Sequence, residues 1–248
     1  LVFAWGEKTA APAVFSFMAQ GRAVKSIIYI DGYNLYYGCL KHSADKWLDI
    51  HQLFFERILR AQAPHSRLLG IKFFTADVKA RIATHGQAAQ LAQQAYHRAL
   101  ETLYPDKIRI IKGYYSLEKA RLPVFRQPPD KAYRVDVWRL EEKQTDVNLA
   151  LEAYRDAVSG RAEQLVFVSS DSDIAPALAA IRDDLGDGVK LGVILPIRAE
   201  SHRPPNQQLS KHANWTRSHI TDQELAQSHL PETIPTRKKP IRKPHYWS

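Results

Sequence analysis

The sequence predicts an α/β fold, a three-layer, Rossmann-like parallel sheet flanked by helices, with a β-hairpin or loop insertion. Short apolar, β-branched runs without alternation recur along the chain, which is how strands buried on both faces of a parallel sheet read. Segments with helically spaced apolar residues separate these runs. Strand and helix therefore alternate from end to end, the order that covers both faces of one sheet.

The first run is Ser26 to Ile30, which stops at Asp31-Gly32. Leu48 to Ala61 follows with Ile50, Leu53, Phe54, Ile58 and Leu59 at helical spacing, and Asp49 near its start suits the helix dipole. Leu68 to Phe74 reads as a second buried strand, and Gln87 to Tyr104 as a long helix ended by Pro105. Lys107 to Tyr115 is a third strand. In Lys131 to Leu140, Tyr133, Val135 and Val137 alternate with Arg134, Asp136 and Trp138, so a half-exposed strand and a hairpin are expected. Between them Leu117 to Lys131, with three prolines, reads as a long functional loop or lid. In the last third Val147, Ala150, Leu151, Tyr154 and Val158 form one face of a helix. Gln164 to Ser169 is a fourth core strand, Ile174 to Leu185 a helix with Pro176 in its first turn, and Val189 to Leu195 a fifth strand.

A chain of 248 residues with 45% hydrophobic and 25% charged residues suits one full core. The division expected is an N-terminal extension over residues 1–25, the α/β domain over 26–200 and a basic, flexible tail over 201–248. Eight Lys and Arg stand against three Asp and Glu from residue 202 onward, so most of the net charge of +9 lies there, which suits an anionic partner. Ala10 to Ala19 imitates the apolar core of a signal peptide, but Glu7 offsets Lys8 ahead of it, and it is not read as one. Leu1 comes first and Met18 is the single methionine, which suggests that the residues before Met18 are either not native or an overextended start. No apolar run spans a membrane and the single Cys39 rules out an intrachain disulfide, so a cytoplasmic protein without membrane contact is expected. Neither Cys-x-x-Cys nor His-Glu-x-x-His is present, and zinc lacks its usual ligands.

Ligand sites of open α/β sheets lie outside the carboxyl ends of the strands, near the point where strand order reverses. Three segments place acids there: Asp31 directly after the first strand, Asp146 in the first turn of a helix, and Asp171 and Asp173 after the fourth strand. Each has an ordinary explanation as a turn, a dipole partner or a cap. Together, carboxylates on one sheet edge repel unless a cation or a basic group sits among them. Oxygen ligands of this kind suit hard Mg²⁺ or Mn²⁺. Thr145, Ser169 and Ser170 are placed to orient ligands or water, and Lys143 to meet a phosphate.

The three segments read Asp31-Gly32-Tyr33-Asn34, Lys143-Gln144-Thr145-Asp146-Val147 and Ser169-Ser170-Asp171-Ser172-Asp173. In order and spacing they resemble the signature of the NYN family, relatives of the PIN and FLAP nucleases, over about residues 26 to 197. The resemblance implies a PIN-like fold, Mg²⁺ or Mn²⁺ held by Asp31, Asp146, Asp171 and Asp173, a positioning role for Asn34, and metal-dependent hydrolysis of RNA, single-stranded or structured, including tRNA. Ser170 stands where many members carry Gly.

Aromatic faces stack on bases and cations track phosphates, which makes Tyr33, Tyr36, Tyr37, Arg121, Arg126 and Lys131 candidates for guiding a strand. A structure-specific DNA nuclease and an inactive RNA-binding or adaptor protein are the competing readings. An Asp-x-Asp-x-Thr phosphatase is disfavoured by Ala175, and no P-loop is present. The sequence leaves the oligomeric state open.

Overall fold

The computed structural model describes residues 22–128, 130–201 and 207–247. The signal-like stretch, Met18 and most of the N-terminal extension lie outside the described residues, as does Pro129 of the prolines noted above.

A seven-stranded sheet runs in the order β4-β3-β2-β1-β5-β6-β7. Its strands are β1 (Val24–Asp31), β2 (Ser66–Ala76), β3 (Ile108–Pro123), β4 (Arg134–Lys143), β5 (Gln164–Val168), β6 (Lys190–Ile194) and β7 (Trp215–Arg217). All neighbours pair parallel except β3 and β4, which form the expected hairpin. β1 lies between β2 and β5, so chain order reverses at its carboxyl end, where Ile30 faces Val168.

The unalternating apolar run of β1 has the predicted cause. Ile28 and Ile30 enter one core, and Ile27 and Tyr29 the other, on opposite faces of the sheet. The first core packs α1 (residues 32–40), α2 (residues 50–62) and α3 (Gly86–Leu103) on the sheet. The second packs α4 (Thr145–Val158) and α5 (Ala175–Leu185) on the other side. Asp49 starts α2 as anticipated, its Oδ1 accepting from the backbone of His51 and Gln52 at 3.0 and 2.9 Å. Gln52–Leu59 within α2 is wound wider than an α-helix.

Three expectations are corrected. β3 continues to Pro123, so much of the segment read as a loop is ladder, with Leu117 opposite Leu140 and Arg121 opposite Asp136. Continuous cross-strand pairing over ten residue pairs outweighs the local turn signals. In α4 the buried side chains are Thr145, Leu149, Ala153, Asp156 and Ala157, whereas Val147, Leu151 and Val158 are exposed. The sheet lies close enough to α4 to favour Ala and Leu, and an acid can enter that face because Lys72 meets it. Residues 207–247, read as a flexible tail, pack on the first core through Ile220, Leu225, Leu230, Ile234 and Ile241. They do so through β7, α7 (Asp222–Ala226) and the short pair β8 (Thr233–Ile234) and β9 (Ile241–Arg242), whereas α6 (Gln207–Ser210) buries Leu209 in the second core. Trp47 Nε1 donates to the Pro231 carbonyl at 2.9 Å, so burying an indole with its N–H satisfied anchors the segment.

Candidate carboxylate site

The site is built where chain order reverses. Asp31 ends β1 with its carboxylate buried, and it caps α1: Oδ1 accepts from Asn34 N at 2.9 Å. The chain turns into α1 at Gly32, where a Cβ would meet the Phe74 carbonyl oxygen at 2.6 Å and the Phe73 ring at 2.9 Å, so any side chain there would push the helix off the strand end. Asp31 Oδ2 accepts from Asn34 Nδ2 at 2.5 Å and from the Ser169 hydroxyl at 2.9 Å.

After β5 the Ser169 hydroxyl also accepts from Asp171 N at 3.0 Å, and Asn34 Oδ1 accepts from Ser170 N at 3.2 Å and the Ser170 hydroxyl at 2.5 Å. Asp171 Oδ1 accepts from Asp173 N at 2.9 Å and caps the short helical turn Ser172–Ile174. Two side-chain bridges thus tie the ends of β1 and β5 together. Asp146 arrives from the third direction, in the first turn of α4 after Gln144, whose φ of 72° reverses the chain from β4. Gly113 lets β3 pass under that turn, since a Cβ there would lie 2.3 Å from the Lys143 carbonyl oxygen and 2.6 Å from the Thr145 hydroxyl.

Electrostatics show that these acids feel one another. Burial pushes the Asp31 carboxyl up to about 7, against the Asn34 amide and the Ser169 hydroxyl, with Asp146 and Glu142 raising it further. Burial also raises Asp146, to about 6, followed by the charges of Asp171, Glu142 and Asp173. Asp31, Asp146, Asp171 and Asp173 are therefore brought to one edge, with Asn34, Ser169 and Ser170 among them.

Glu142 was not singled out in the sequence and belongs to this edge. It precedes Asp146 by four residues, and Thr145 Oγ1 donates to its Oε1 at 2.6 Å. Its signal was the alternation of β4, which sends Glu142 to the face opposite Glu141 and Lys143. Lys143 ion-pairs with Glu141 on that other face. Tyr115 stands opposite Glu142 in the ladder, and burial followed by the charge of Glu142 raises its phenol. Tyr33 also borders the edge, its phenol raised by burial, Tyr37, Glu142 and Asp31 in that order.

Arg121 and Arg126 are not gathered here. Arg121 lies six residues beyond Tyr115 in β3, roughly 20 Å along an extended strand. Arg126 ion-pairs with Asp130 and lies 5.5 Å from the Tyr133 ring centroid. Cys39 is buried, and its thiol is pushed up to about 12, which leaves it inert.

The donors suit a hard divalent cation in kind. They are oxygens, their charges oppose one another, and Glu142 Oε2 is buried without a hydrogen-bond partner. Among the described residues no three or more His, Cys, Asp and Glu converge closely enough to hold an ion.

A mostly parallel sheet with helices on both faces and acids at its reversal point defines a PIN-like α/β protein. The chain belongs to the NYN domain family, whose model matches residues 25–208. That family is one of nuclease-like domains. The chain is also 42% identical over 240 residues, 90% of its length and 75% of the other's, to a Pseudomonas putida (strain DSM 28022 / S16) protein named 6-hydroxy-3-succinoylpyridine 3-monooxygenase HspA. A crystal structure of a protein of unknown function from Vibrio parahaemolyticus RIMD 2210633 resembles it at a TM-score of 0.48 and 18% identity, covering 83% of this chain and 98% of that one. Among the described residues no helix is long and apolar enough to cross a membrane.

Proposed function

We propose that the protein is a metal-dependent ribonuclease that hydrolyses RNA phosphodiester bonds at the carboxylate edge. The observation that carries the reading is the gathering of Asp31, at the end of β1, with Asp146 and Asp171 where the sheet's strand order reverses, Asp31 and Asp146 both raised first by burial and then by neighbouring acids. Asp31, Asp146, Asp171 and Asp173 would hold Mg²⁺ or Mn²⁺, with Glu142 as a further oxygen donor. The cation would supply charge neutralisation at the phosphate and the acidity that lets water attack near neutral pH.

The chain's own residues do the positioning. Asn34 and Ser169 fix the orientation of the Asp31 carboxylate by three hydrogen bonds. Ser169 and Asp171 accept from the backbone N–H groups of Asp171 and Asp173 and so shape the segment after β5, while the Ser169 hydroxyl on Asp31 and Ser170 on Asn34 tie that segment to the end of β1. Water adds to phosphorus, the bridging P–O bond breaks, and the leaving oxygen takes up a proton.

A second reading comes from the 42% identical relative, whose name describes a monooxygenase acting on 6-hydroxy-3-succinoylpyridine. It would require dioxygen and an electron donor. One experiment separates the two: end-labelled single-stranded RNA, tRNA and matched DNA with Mn²⁺, Mg²⁺ or EDTA, beside 6-hydroxy-3-succinoylpyridine in air with a nicotinamide or flavin reductant. Metal-dependent RNA cleavage that Asp146→Asn lacks supports the ribonuclease. Cleavage confined to DNA would make it a DNA nuclease, and oxidation of the pyridine without cleavage would sink the nuclease reading.

A further inference from the structure

A cavity of about 490 Å³ adjoins the carboxylate edge, with Gly32, Tyr33 and Glu142 in its wall. Its size falls in the range of ligand pockets, ~300–1,000 Å³. Three tyrosines of α1 line it with exposed rings: Tyr33 is 44%, Tyr36 39% and Tyr37 48% accessible. Their packing is aromatic, Tyr33 to Tyr37 at 4.4 Å between centroids and Tyr36 edge-on to Tyr37 at 5.2 Å. Phe73, buried, lies deeper, and beside it is His97, whose imidazole burial lowers to about 4 and so keeps neutral. Tyr246 and Trp247 of the C-terminal segment complete the wall, held by Tyr246 Oη donating to the Ala88 carbonyl at 3.1 Å.

Charge points to the occupant. Among the described residues lining the cavity, Lys41, Lys46 and Lys79 face a single acid, Glu142, and that acid lies on the side of the carboxylate edge. Lys41 Nζ sits 4.7 Å from the Tyr37 ring centroid. Aromatic faces with ammonium groups beside them fit a planar base bearing phosphate, because the base stacks while the cations follow the backbone.

We infer that this cavity is a base subsite, taking one nucleobase of the RNA next to the scissile phosphate, with Lys41 and Lys46 on the adjoining phosphate. The inference rests on the ribonuclease reading for the position of the scissile bond. A base displaces Lys41 from the Tyr37 face, and the ammonium turns to the phosphate. The subsite binds by face and charge, so it tolerates different bases more readily than it tolerates none.

The test is fluorescence anisotropy of a fluorescein-labelled single-stranded RNA hexamer, in EDTA so that nothing is cut, beside hexamers with one abasic position. Tyr37 is half exposed, so Tyr37→Ala should fold, which a thermal melt checks. An abasic residue at one position should weaken binding about 5- to 100-fold. Tyr37→Ala should weaken the intact hexamer by a similar factor and leave that abasic hexamer unchanged, and Lys46→Gln should flatten the salt dependence. Equal loss for both hexamers in Tyr37→Ala, or no loss, overturns the subsite, as does binding of 6-hydroxy-3-succinoylpyridine without binding of RNA. Cleavage that needs Asp146 without the Tyr37–base coupling would sink the subsite alone. The coupling without any wild-type cleavage would sink the ribonuclease reading and leave the cavity as a base-binding site.

Discussion

Asn34 and Asp31 are locked together across one helical turn: the Asn34 side-chain amide donates to Asp31 Oδ2 at 2.5 Å while its oxygen accepts from Ser170 on the neighbouring strand end. A single amide therefore uses its donor on β1 and its acceptor on β5. Asn34→Asp keeps the acceptor, loses the donor and sets a second carboxylate against Asp31. RNA cleavage is expected to fall about 10- to 100-fold in kcat, the usual cost of losing a group that orients a metal ligand. KM should change little. Steady-state kinetics with Mn²⁺ check this, and an unchanged kcat would remove Asn34 from the site.

The Asp146 carboxyl is raised to about 6 by burial, Asp171, Glu142 and Asp173. A carboxyl raised in the folded state makes that state hold its proton more tightly than the unfolded chain does. Its contribution to stability therefore declines as pH rises from about 4 to about 6 and stays low above that. Asp146→Asn removes the opposed charge. Metal-free protein should gain on the order of 1 kcal/mol at pH 8, after allowance for solvent screening, and almost nothing at pH 4. Thermal melts in EDTA at the two pH values measure it, and destabilisation at pH 8 would contradict the crowding of acids described above. The same variant should lose cleavage.

The strands and the acids were legible because each depends on local pattern. An unalternating apolar run such as Ser26 to Ile30 reports burial on both faces, and the strand ends then say where Asp31 and Asp171 stand. Glu142 was harder, since its membership depends on which face of β4 meets α4, and a two-residue alternation gives no absolute phase. The α4 face was misread for a related reason: Val147, Leu151 and Val158 are the more apolar residues, yet the sheet accepts Leu149, Ala153 and the paired Asp156. What covers a helix is a tertiary property that its own sequence does not carry.

The C-terminal segment illustrates the same limit and gives a prediction. Its prolines and lysines suggested a tail without fixed structure, but Ile241 is buried in the first core and Trp247 lies 6.2 Å from the Trp47 ring centroid. Truncation before Thr236 should cost about 2–5 kcal/mol, comparable to emptying a large apolar site in a core. It should also expose Trp47, visible as a red shift of its fluorescence. A truncated protein with wild-type urea midpoint would restore the flexible-tail reading.

Relief of the crowded acids by a cation carries its own pH signature. Asp31 and Asp146 are raised to about 7 and about 6, so below those values both hold protons and have little attraction for a cation. Above them the charges are present and unshielded. Mn²⁺ should raise the melting temperature by several degrees at pH 8, in line with stabilisation of a folded state by a ligand it alone binds, and by little at pH 5. Asp146→Asn should lose most of the gain. An equal gain at both pH values would place the ion elsewhere on the surface.

A buried ion network under α4 tests whether the fold itself carries the site. Lys72 of β2 stands beside Tyr29 of β1, and its Nζ pairs with Asp156 and, at 2.6 Å, with Glu152. Tyr29 Oη donates to Asp156 Oδ2 at 2.8 Å, while Arg161 and Arg109 reach the two acids from solvent at 3.3 and 3.5 Å. Removing the lysine leaves Asp156, which is 3% exposed, with one tyrosine and one solvent-facing arginine. Lys72→Met should therefore destabilise by about 3–5 kcal/mol, because an unpaired buried charge remains. Lys72→Met with Asp156→Leu removes the buried unpaired carboxylate and should recover part of that loss, the remainder being the buried Tyr29 hydroxyl left without its acceptor and Glu152 left to Arg109. Urea unfolding of the single and double variants measures the difference. If the double variant regains stability and still cleaves, the network serves the packing of α4 on the sheet; if it regains stability without cleavage, the Asp156 turn of α4 is needed to hold Asp146 at the carboxylate edge.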